Sequence, residues 1–299
     1  MKTKTTLTCL LLSVLGLWGP LVLGAKLNLG LIDPVEMAKT YPDFEQSLNR
    51  SLVGIPGAML ASGKDYYGHY EELKKLDFIS GKKAPVVVYM HGSGQAIDRS
   101  GDFPKLKWDY GYAEWITQAG YIFVGPDSYG FKNRPSFSSP VPKEFYEEVH
   151  NIRQAEVAQA ATSLAEQDFT DTGEMYLLGV SEGAMAAARY AGKEFKGRLV
   201  LSWSCEPGYF TDFPKVGAKS KAPFLNIMGY RDFYFGKNGP YNTRYANNTG
   251  NCAAHLSMAN YKNARVIIYP DSTHGVTYNQ HMKGDLLGFL SYWIGRPVE

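Results

Sequence analysis

Cysteine, excess charge and long apolar runs are all scarce in this chain of 299 residues. It has 3 cysteines, and its 31 Lys and Arg residues nearly balance 29 Asp and Glu residues. Such a balance excludes the strongly basic surface that marks most nucleic-acid-binding proteins. After the N-terminal segment, no apolar run is long enough to span a bilayer as a helix. We therefore expect no nucleic-acid partner and no stable membrane insertion of the mature chain.

The sequence features of common cofactor sites are also missing. No His, Cys, Asp and Glu residues cluster at the spacing of metal ligands. The glycine-rich segment HGSG, at residues 91–94, is without the third glycine of a dinucleotide-binding fingerprint and without the lysine of a phosphate-binding loop. We predict that the protein uses no metal and no organic cofactor.

The one long apolar stretch lies at the N-terminus, in MKTKTTLTCLLLSVLGLWGPLVLGA. Lys2 and Lys4 give it a positive start, and small residues close it near Gly24. This arrangement is typical of a secretory signal peptide that is removed on export. We predict a signal peptide over residues 1–24, a single domain over residues 25–299, and a periplasmic or extracellular protein. The sequence leaves the oligomeric state open.

Two cysteines, Cys205 and Cys252, follow the predicted signal peptide. In an oxidising compartment such a pair often forms a disulfide, although two separate buried thiols would give the same sequence. We favour the disulfide.

Short apolar runs alternate with helical patterns from about residue 84 onward. Runs rich in β-branched residues predict strands, and amphipathic spacing predicts helices. The predicted strands cover residues 84–92, 121–128, 174–180, 198–204, 222–229 and 264–270, and the predicted helices cover residues 112–120, 143–167, 182–195 and 282–295. This alternation predicts an α/β fold, with a mainly parallel sheet and helices on both of its faces. Before this region, residues 71–79 are a candidate for part of an early antiparallel hairpin.

A serine lies between two glycines where the third predicted strand gives way to a helix. The segment is Gly179-Val180-Ser181-Glu182-Gly183. Ligands bind beyond the carboxyl ends of parallel strands, so a serine in this sharp turn presents its hydroxyl to a pocket. The glycines avoid a crowded Cβ on either side of the turn. We predict that Ser181 is a nucleophile, and a serine that only caps the helix is the alternative.

A serine hydroxyl needs a base, and suitable partners follow further along the chain. Asp232 comes just after the fifth predicted strand, and His274 comes just after the sixth. Both are therefore expected at the edge of the sheet where Ser181 emerges. We predict that Ser181, Asp232 and His274 form a catalytic triad. Glu206 and Asp271 remain alternatives for the acid.

The glycine-rich segment at residues 91–94 follows the first predicted strand. Backbone N–H groups in such a turn can bind the negative charge that develops on a carbonyl oxygen during acyl transfer. We predict an oxyanion hole formed by the N–H groups of Ser93 and Glu182, with Gly94 as the alternative to Ser93. We expect His91 to brace this loop and not to transfer protons.

Three aromatic residues follow or end the fourth predicted strand. We expect Trp203, Tyr209 and Phe210 to border the substrate pocket. A place among the core aromatic residues is an equal alternative for Trp203.

These segments together resemble those of an α/β-hydrolase of the dienelactone-hydrolase-like branch. The resemblance covers roughly residues 84–295 and implies an α/β-hydrolase fold, with an eight-stranded, mostly parallel sheet and no cofactor. Dienelactone hydrolases proper use a cysteine nucleophile, whereas this chain has Ser181, which favours ordinary esters as substrates. The matching pieces are HGSG (91–94), GPDSYG (125–130), the helix that contains Arg153, GVSEGA (179–184), Asp232 and His274.

The residues and the resemblance predict the same activity. We expect a serine hydrolase of the carboxylesterase type that cleaves a small-molecule ester through an acyl-enzyme intermediate. A peptidase or amidase with the same triad is one alternative. A non-catalytic binding protein on a hydrolase scaffold is the other.

Overall fold

The computed structural model describes residues 45–298, except residues 95–96, 99–103, 108–110, 131–133, 136, 138–139 and 243. The predicted signal peptide over residues 1–24 lies outside the described residues. In the part of the chain that is described, no helix has the length and apolar character needed to cross a membrane.

Short strands build the centre of the fold. In the described part of the chain they are β1 (Leu52–Ile55), β2 (Tyr66–His69), β3 (Ala84–Met90), β4 (Ile97–Asp98), β5 (Lys105–Leu106), β6 (Ile122–Gly125), β7 (Thr170–Val180), β8 (Gly197–Leu201), β9 (Phe224–Gly229) and β10 (Ala264–Tyr269). An 8-stranded sheet has the order β10-β9-β8-β7-β3-β6-β1-β2, and β4 pairs with β5 separately.

Most of the large sheet is parallel. Every neighbouring pair from β10 across to β6 is parallel, whereas β1 is antiparallel to both β6 and β2. This confirms the predicted eight-stranded, mostly parallel sheet. The register places Gly179 of β7 beside Met90 of β3 and Val200 of β8. The carboxyl ends of the parallel strands therefore meet at one edge, where ligands bind in sheets of this kind.

The early antiparallel hairpin exists, but it lies before the segment suggested by the sequence. Strands β1 and β2 form it, with Leu52 opposite His69. Residues 71–79 do not supply a strand of the sheet, because Tyr70–Lys75 form a 3₁₀ helix. In the sequence EELKK, only Leu73 is apolar and buried, so this stretch has no alternating apolar face to pack against a core.

Helices cover both faces of the sheet. Alternate residues of a strand point to opposite faces, and in β3 Val87 and Tyr89 belong to one core cluster whereas Val86 and Val88 belong to the other. Burial on both faces explains why this strand is a continuous apolar run. The helices of the described residues are α1 (Glu45–Asn49), α2 (Tyr112–Gln118), α3 (Lys143–Ala165), α4 (Glu182–Arg189), α5 (Ala253–Met258) and α6 (Met282–Trp293).

A disulfide joins Cys205, after β8, to Cys252, directly before α5. Their Cα atoms are 4.8 Å apart, and this confirms the predicted pairing. Both cysteines are buried in a cluster that includes Trp203 and Met228. The backbone N–H of Cys252 also donates to Oδ1 of Asn226 at 3.0 Å, so the bridge and this hydrogen bond fix the same segment against β9.

Loss of the disulfide should destabilise the fold. The bridge joins residues separated by 47 positions, and it therefore restricts the unfolded chain. In the double variant Cys205→Ala/Cys252→Ala, we expect the free energy of unfolding to fall by about 4 kcal/mol. Urea unfolding of both proteins, followed by tryptophan fluorescence, measures the difference. A loss below about 1 kcal/mol would contradict this expectation.

Candidate active site

Ser181 occupies a sharp turn between β7 and α4. Its backbone has φ 56° and ψ −118°, a conformation that is strained for a residue with a side chain. A Cβ at Gly179 would lie 2.1 Å from the carbonyl oxygen of Gly183, and a Cβ at Gly183 would lie 2.0 Å from the carbonyl oxygen of Met90. Glycine is therefore required at both positions, because α4 approaches β7 and β3 too closely for a side chain. This geometry holds Ser181 at the end of the central strands.

Ser181, His274 and Asp232 form one chain of hydrogen bonds. Nε2 of His274 is 2.9 Å from Oγ of Ser181, and Nδ1 of His274 is 2.8 Å from Oδ2 of Asp232. The backbone N–H groups of Tyr234 and Phe235 donate to Oδ1 of Asp232 at 2.8 and 2.9 Å. An ionised carboxylate only accepts hydrogen bonds, so we assign the imidazole proton to Nδ1. Nε2 is then able to accept the hydroxyl proton of Ser181.

The other two acids considered for this position do not contact His274. Glu206 accepts a hydrogen bond from the backbone N–H of Gly250 at 2.9 Å, and it braces the polar loop before α5. Asp271 is exposed and faces Arg231 at 3.5 Å. Of the three carboxylates, Asp232 is the one beside the imidazole.

Ser202, which was not predicted from the sequence, holds the backbone of His274. Its hydroxyl donates to the carbonyl oxygen of His274 at 2.7 Å, and its own N–H donates to the carbonyl oxygen of Ile227 at 2.9 Å. Ser202 has φ 56°. Its position directly after β8 is the signal that could have identified it, because Ser181 likewise comes directly after the neighbouring strand β7.

His91 lies inside the loop that follows β3, with both ring nitrogens engaged. Nε2 accepts hydrogen bonds from the backbone N–H of Ser128 at 3.2 Å and from the Arg153 guanidinium at 3.1 Å. Nδ1 therefore carries the proton, and it donates to the carbonyl oxygen of Gly92 at 2.6 Å. Burial, and then the charge of Arg153, lower the pKa of His91 well below its usual value. A neutral, fully bonded imidazole of this kind braces the loop.

A cavity of about 160 Å³ opens beside Ser181. Ser93, Glu182 and His274 border it together with Ser181, so the two residues predicted to form an oxyanion hole lie at the same cavity as the hydroxyl. The phenol of Tyr129 donates to the carbonyl oxygen of Ser93 and anchors the loop there. A larger cavity of about 450 Å³ lies between β2 and α2, but none of the described residues that line it is a serine, a cysteine or a histidine.

The three aromatic residues expected at the pocket occupy different places. Phe210 lines the cavity. Tyr209 packs edge-on against Phe210, with ring centroids 5.2 Å apart, and does not line the cavity itself. Trp203 is only 1% exposed and belongs to the core, where it packs in a cluster with Val200 and Met228. Trp203 therefore does not border the pocket but has the alternative place in the core, because its ring is buried in a cluster with side chains of α4 and β9.

Other residues of the cavity wall were not singled out in the sequence. They come from four parts of the chain, namely the loop before α3, α3 itself, α4, and the segment after β9. Met185 lies one helical turn after Ser181 and could have been inferred from that spacing. The rest depend on how distant segments pack. The unpredicted wall residues are Phe137, Tyr146, His150, Met185, Tyr234 and Phe235.

Comparisons with known proteins identify the fold. No protein-family model matches the chain, and no curated protein matches it. Among solved structures, the chain is similar to a "Putative Dienelactone Hydrolase from Klebsiella pneumoniae subsp. pneumoniae MGH 78578", with a TM-score of 0.51 and 16% sequence identity over 73% of this chain and 90% of that chain. The chain has the α/β-hydrolase fold.

Two esterase structures are also similar to this chain. One is esterase PE8, with a TM-score of 0.46 and 19% identity over 72% of this chain and 94% of that chain. The other is a cold-adapted esterase from an Arctic intertidal metagenomic library, with a TM-score of 0.49 and 14% identity over 76% of this chain and 86% of that chain. The roles of individual residues rest on the geometry of this chain.

Buried ion pairs lie near the cavity. Each pair consists of one arginine guanidinium and one glutamate carboxylate, so its positive and negative charges balance. A buried charge is costly unless it is paired, so this balance is what allows these side chains to be buried. The pairs and their N–O distances are Arg134 with Glu182 at 2.6 Å, Arg153 with Glu156 at 3.2 Å, and Arg189 with Glu147 at 2.8 Å.

His150, on α3, lines the cavity and contacts Arg189 of one of these ion pairs. Its Nδ1 is 3.3 Å from Nη1 of Arg189. A guanidinium can only donate, so Nδ1 is the acceptor and the ring proton is on Nε2. Burial lowers the pKa of His150 well below its usual value, and the charges of Arg189, Arg134 and Arg153 lower it further. His150 is therefore a neutral imidazole with its proton on Nε2.

The buried neutral state of His150 should make stability depend on pH. In the unfolded chain a histidine titrates near pH 6.5, whereas His150 in the folded protein takes up its proton only at lower pH. As the pH falls below about 6.5, the unfolded state gains a proton that the folded state lacks, and wild-type stability falls by about 1.4 kcal/mol per pH unit on this account. His150→Gln removes this dependence, and its side-chain oxygen can still accept from Arg189.

The measurement is a difference between two proteins. Urea unfolding of wild type and His150→Gln at several pH values between 7 and 5 cancels the groups that titrate alike in both. We expect the free energy of unfolding of the variant, relative to that of the wild type, to rise by about 1.4 kcal/mol for each pH unit below pH 6.5. A difference that stays constant with pH would contradict a depressed pKa at His150.

Proposed function

We propose that the protein is a serine hydrolase that cleaves carboxylic esters through an acyl-enzyme intermediate. The observation that carries this proposal is the hydrogen-bonded chain from Ser181 through His274 to Asp232, at the wall of a cavity. A hydroxyl, an imidazole and a buried carboxylate in this order form the arrangement that activates a serine as a nucleophile.

In the first half of the proposed reaction, Oγ of Ser181 attacks the carbonyl carbon of the ester. Nε2 of His274 takes the hydroxyl proton as the new C–O bond forms. The imidazolium then gives this proton to the leaving alkoxide, the C–O bond to the alcohol breaks, and the acyl group stays on Ser181. Asp232 holds the ring in the required tautomer and stabilises its positive charge while the proton is in transit.

In the second half, water takes the place of the alcohol. Nε2 of His274 accepts a proton from the water as its oxygen attacks the acyl carbon. The proton then returns to Oγ of Ser181 as the acid leaves, and the site is regenerated. No co-reactant other than water is needed.

The proposed oxyanion hole combines the N–H groups of Glu182 and Ser93. Glu182 is the first residue of α4, where backbone N–H groups have no partner within the helix and the helix dipole is positive. Ser93 lies on the loop that His91 and Tyr129 brace. Donors fixed before the reaction are effective because they need no rearrangement as charge develops on the carbonyl oxygen.

The wall of the cavity favours a neutral ester over a peptide with a charged end. A peptidase that trims chain ends needs a free charge to bind the terminus. The buried arginines near the cavity are already paired, and Arg134 in particular binds the carboxylate of Glu182 at 2.6 Å. The disulfide between Cys205 and Cys252 supports the further proposal that the protein works outside the cytoplasm, where such bonds persist.

Replacement of the proposed nucleophile tests the function directly. A fluorophosphonate probe should label the wild type on Ser181, and Ser181→Ala should not be labelled. We expect kcat for p-nitrophenyl acetate to fall by at least about 10⁴-fold in this variant, because the covalent route is lost.

Ser51→Ala is the matched control for this experiment. Ser51 is a buried serine whose hydroxyl bonds a backbone carbonyl outside the cavity, so its removal should leave labelling intact. A wild type that neither reacts with the probe nor hydrolyses any ester would overturn the proposal. Labelling without ester hydrolysis would instead favour the peptidase.

Ser202→Ala tests whether the backbone bond to His274 positions the imidazole. Alanine keeps a Cβ at the same strained φ, so only the 2.7 Å hydrogen bond is lost. We expect kcat to fall about tenfold with KM nearly unchanged, because a less well fixed imidazole affects proton transfer more than ester binding. Ser51→Ala is again the control. A fall in thermal stability with unchanged kcat would give Ser202 a purely structural role.

A further inference from the structure

His150 brings a hydrogen-bond donor to the cavity beside Ser181. It is 2% exposed and is one of the residues that line the cavity. With Nδ1 engaged by Arg189, the polar group left to this side chain is Nε2–H. None of the described residues accepts a hydrogen bond from it. Because His150 lines the cavity, a ligand oxygen bound there can accept a hydrogen bond from this group.

The rest of the wall is mainly aromatic. The rings of Tyr146 and Phe137 meet edge to face with centroids 5.3 Å apart, and Tyr146 meets Phe210 in the same way at 4.8 Å. The ring of Phe210 also packs against the ring of Phe235, with centroids 5.2 Å apart. Offset and edge-to-face contacts are the arrangements that aromatic groups prefer, so another flat ring can extend this cluster.

The size of the cavity matches one ring. Its volume is about 160 Å³. An apolar protein cavity of about 150 Å³ is known to hold one benzene molecule. A long acyl chain or a pair of fused rings would therefore extend into the solvent.

The charges nearby favour a neutral ligand. Glu182 borders the cavity, but its carboxylate is paired with Arg134, and Arg189 is paired with Glu147. An ionic group on the ligand would lose its hydration without gaining a partner, whereas a neutral oxygen would meet Nε2–H of His150.

We propose that this cavity binds a single neutral aromatic ring of the ester, and that His150 donates a hydrogen bond to an oxygen substituent on that ring. The proposal rests on the proposed ester hydrolysis and names the substrate class for it. His150 is then a residue that determines specificity, and the proton it holds on Nε2 takes no part in the reaction at Ser181.

Pairs of substrates that differ by one atom test the proposal. Methoxy and ethyl groups have nearly the same shape, but only methoxy can accept a hydrogen bond. Methyl esters of benzoic acids with either group at the meta or para position test the acyl side of the ester. Acetates of phenols with the same substituents test the alcohol side. Each ratio of kcat/KM is divided by the ratio of the rates of hydroxide-catalysed hydrolysis, which removes the electronic difference.

In the wild type, we expect the methoxy compound to be favoured about fivefold in one of the two series. The preference should fall to about one in His150→Phe, which keeps a ring but has no donor, and it should persist in His150→Gln, which keeps one. His255→Phe is the matched control, because His255 lies on α5 and does not line the cavity. This control should retain the wild-type ratio.

The outcomes separate this inference from the proposed function. Equal rates for methoxy and ethyl compounds in both series of the wild type would overturn the inference, and this result needs no variant. A preference that survives in His150→Phe would also overturn it. Fluorophosphonate labelling of Ser181, measured on the same samples, shows whether the variants are folded and whether the proposed nucleophile is reactive. Labelling without any ring-oxygen preference removes the inference and leaves the hydrolase proposal standing.

Discussion

The close approach of α4 to β7 and β3 is the constraint on which the site depends. The carbonyl oxygens of Gly183 and Met90 fill the space that a Cβ at Gly179 or Gly183 would need, and the chain between the two glycines turns through a strained conformation at Ser181. Such strain persists only where the surrounding packing fixes the backbone. Here β3 and the buried second half of β7, residues 175–180, provide that packing, with helices on both faces of the sheet. The same turn leads directly into α4, whose first residue, Glu182, supplies one N–H of the proposed oxyanion hole.

The remaining parts of the site are held by bonds to the ends of neighbouring strands. Ser202, after β8, bonds the carbonyl oxygen of His274. Asp232, after β9, is fixed by two backbone N–H groups and directs Nδ1 of the imidazole. Each contact depends on the parallel order of the strands, since this order brings their carboxyl ends to one edge. The proposed proton transfer is therefore a consequence of the sheet topology.

Buried ion pairs and two neutral histidines lie near Ser181, and one of these histidines, His150, lines the cavity. His91 and His150 are both kept neutral by burial and by nearby arginines, but their protons are on different nitrogens. His91 receives hydrogen bonds on Nε2 and His150 receives one on Nδ1. The first histidine therefore supports the loop of Ser93, and the second has a donor available for a ligand. An arginine can only donate, so the ring nitrogen that it contacts is the acceptor and the proton lies on the other nitrogen. The two histidines differ in role because the arginines contact different ring nitrogens.

Local sequence was sufficient for the six parallel strands β3 and β6–β10, for helices α2, α3, α4 and α6, for the serine turn, and for the order of serine, aspartate and histidine along the chain. These features depend on periodicity and on residues close in sequence, which is why they could be read without coordinates. Tertiary structure alone decided that Asp232 and not Glu206 meets the imidazole, that Trp203 belongs to the core, and that β1 and β2 form the hairpin. It also brought His150 to Arg189 across 39 positions of the chain. Such contacts join distant segments through packing, and local patterns carry no information about which distant side chains will meet.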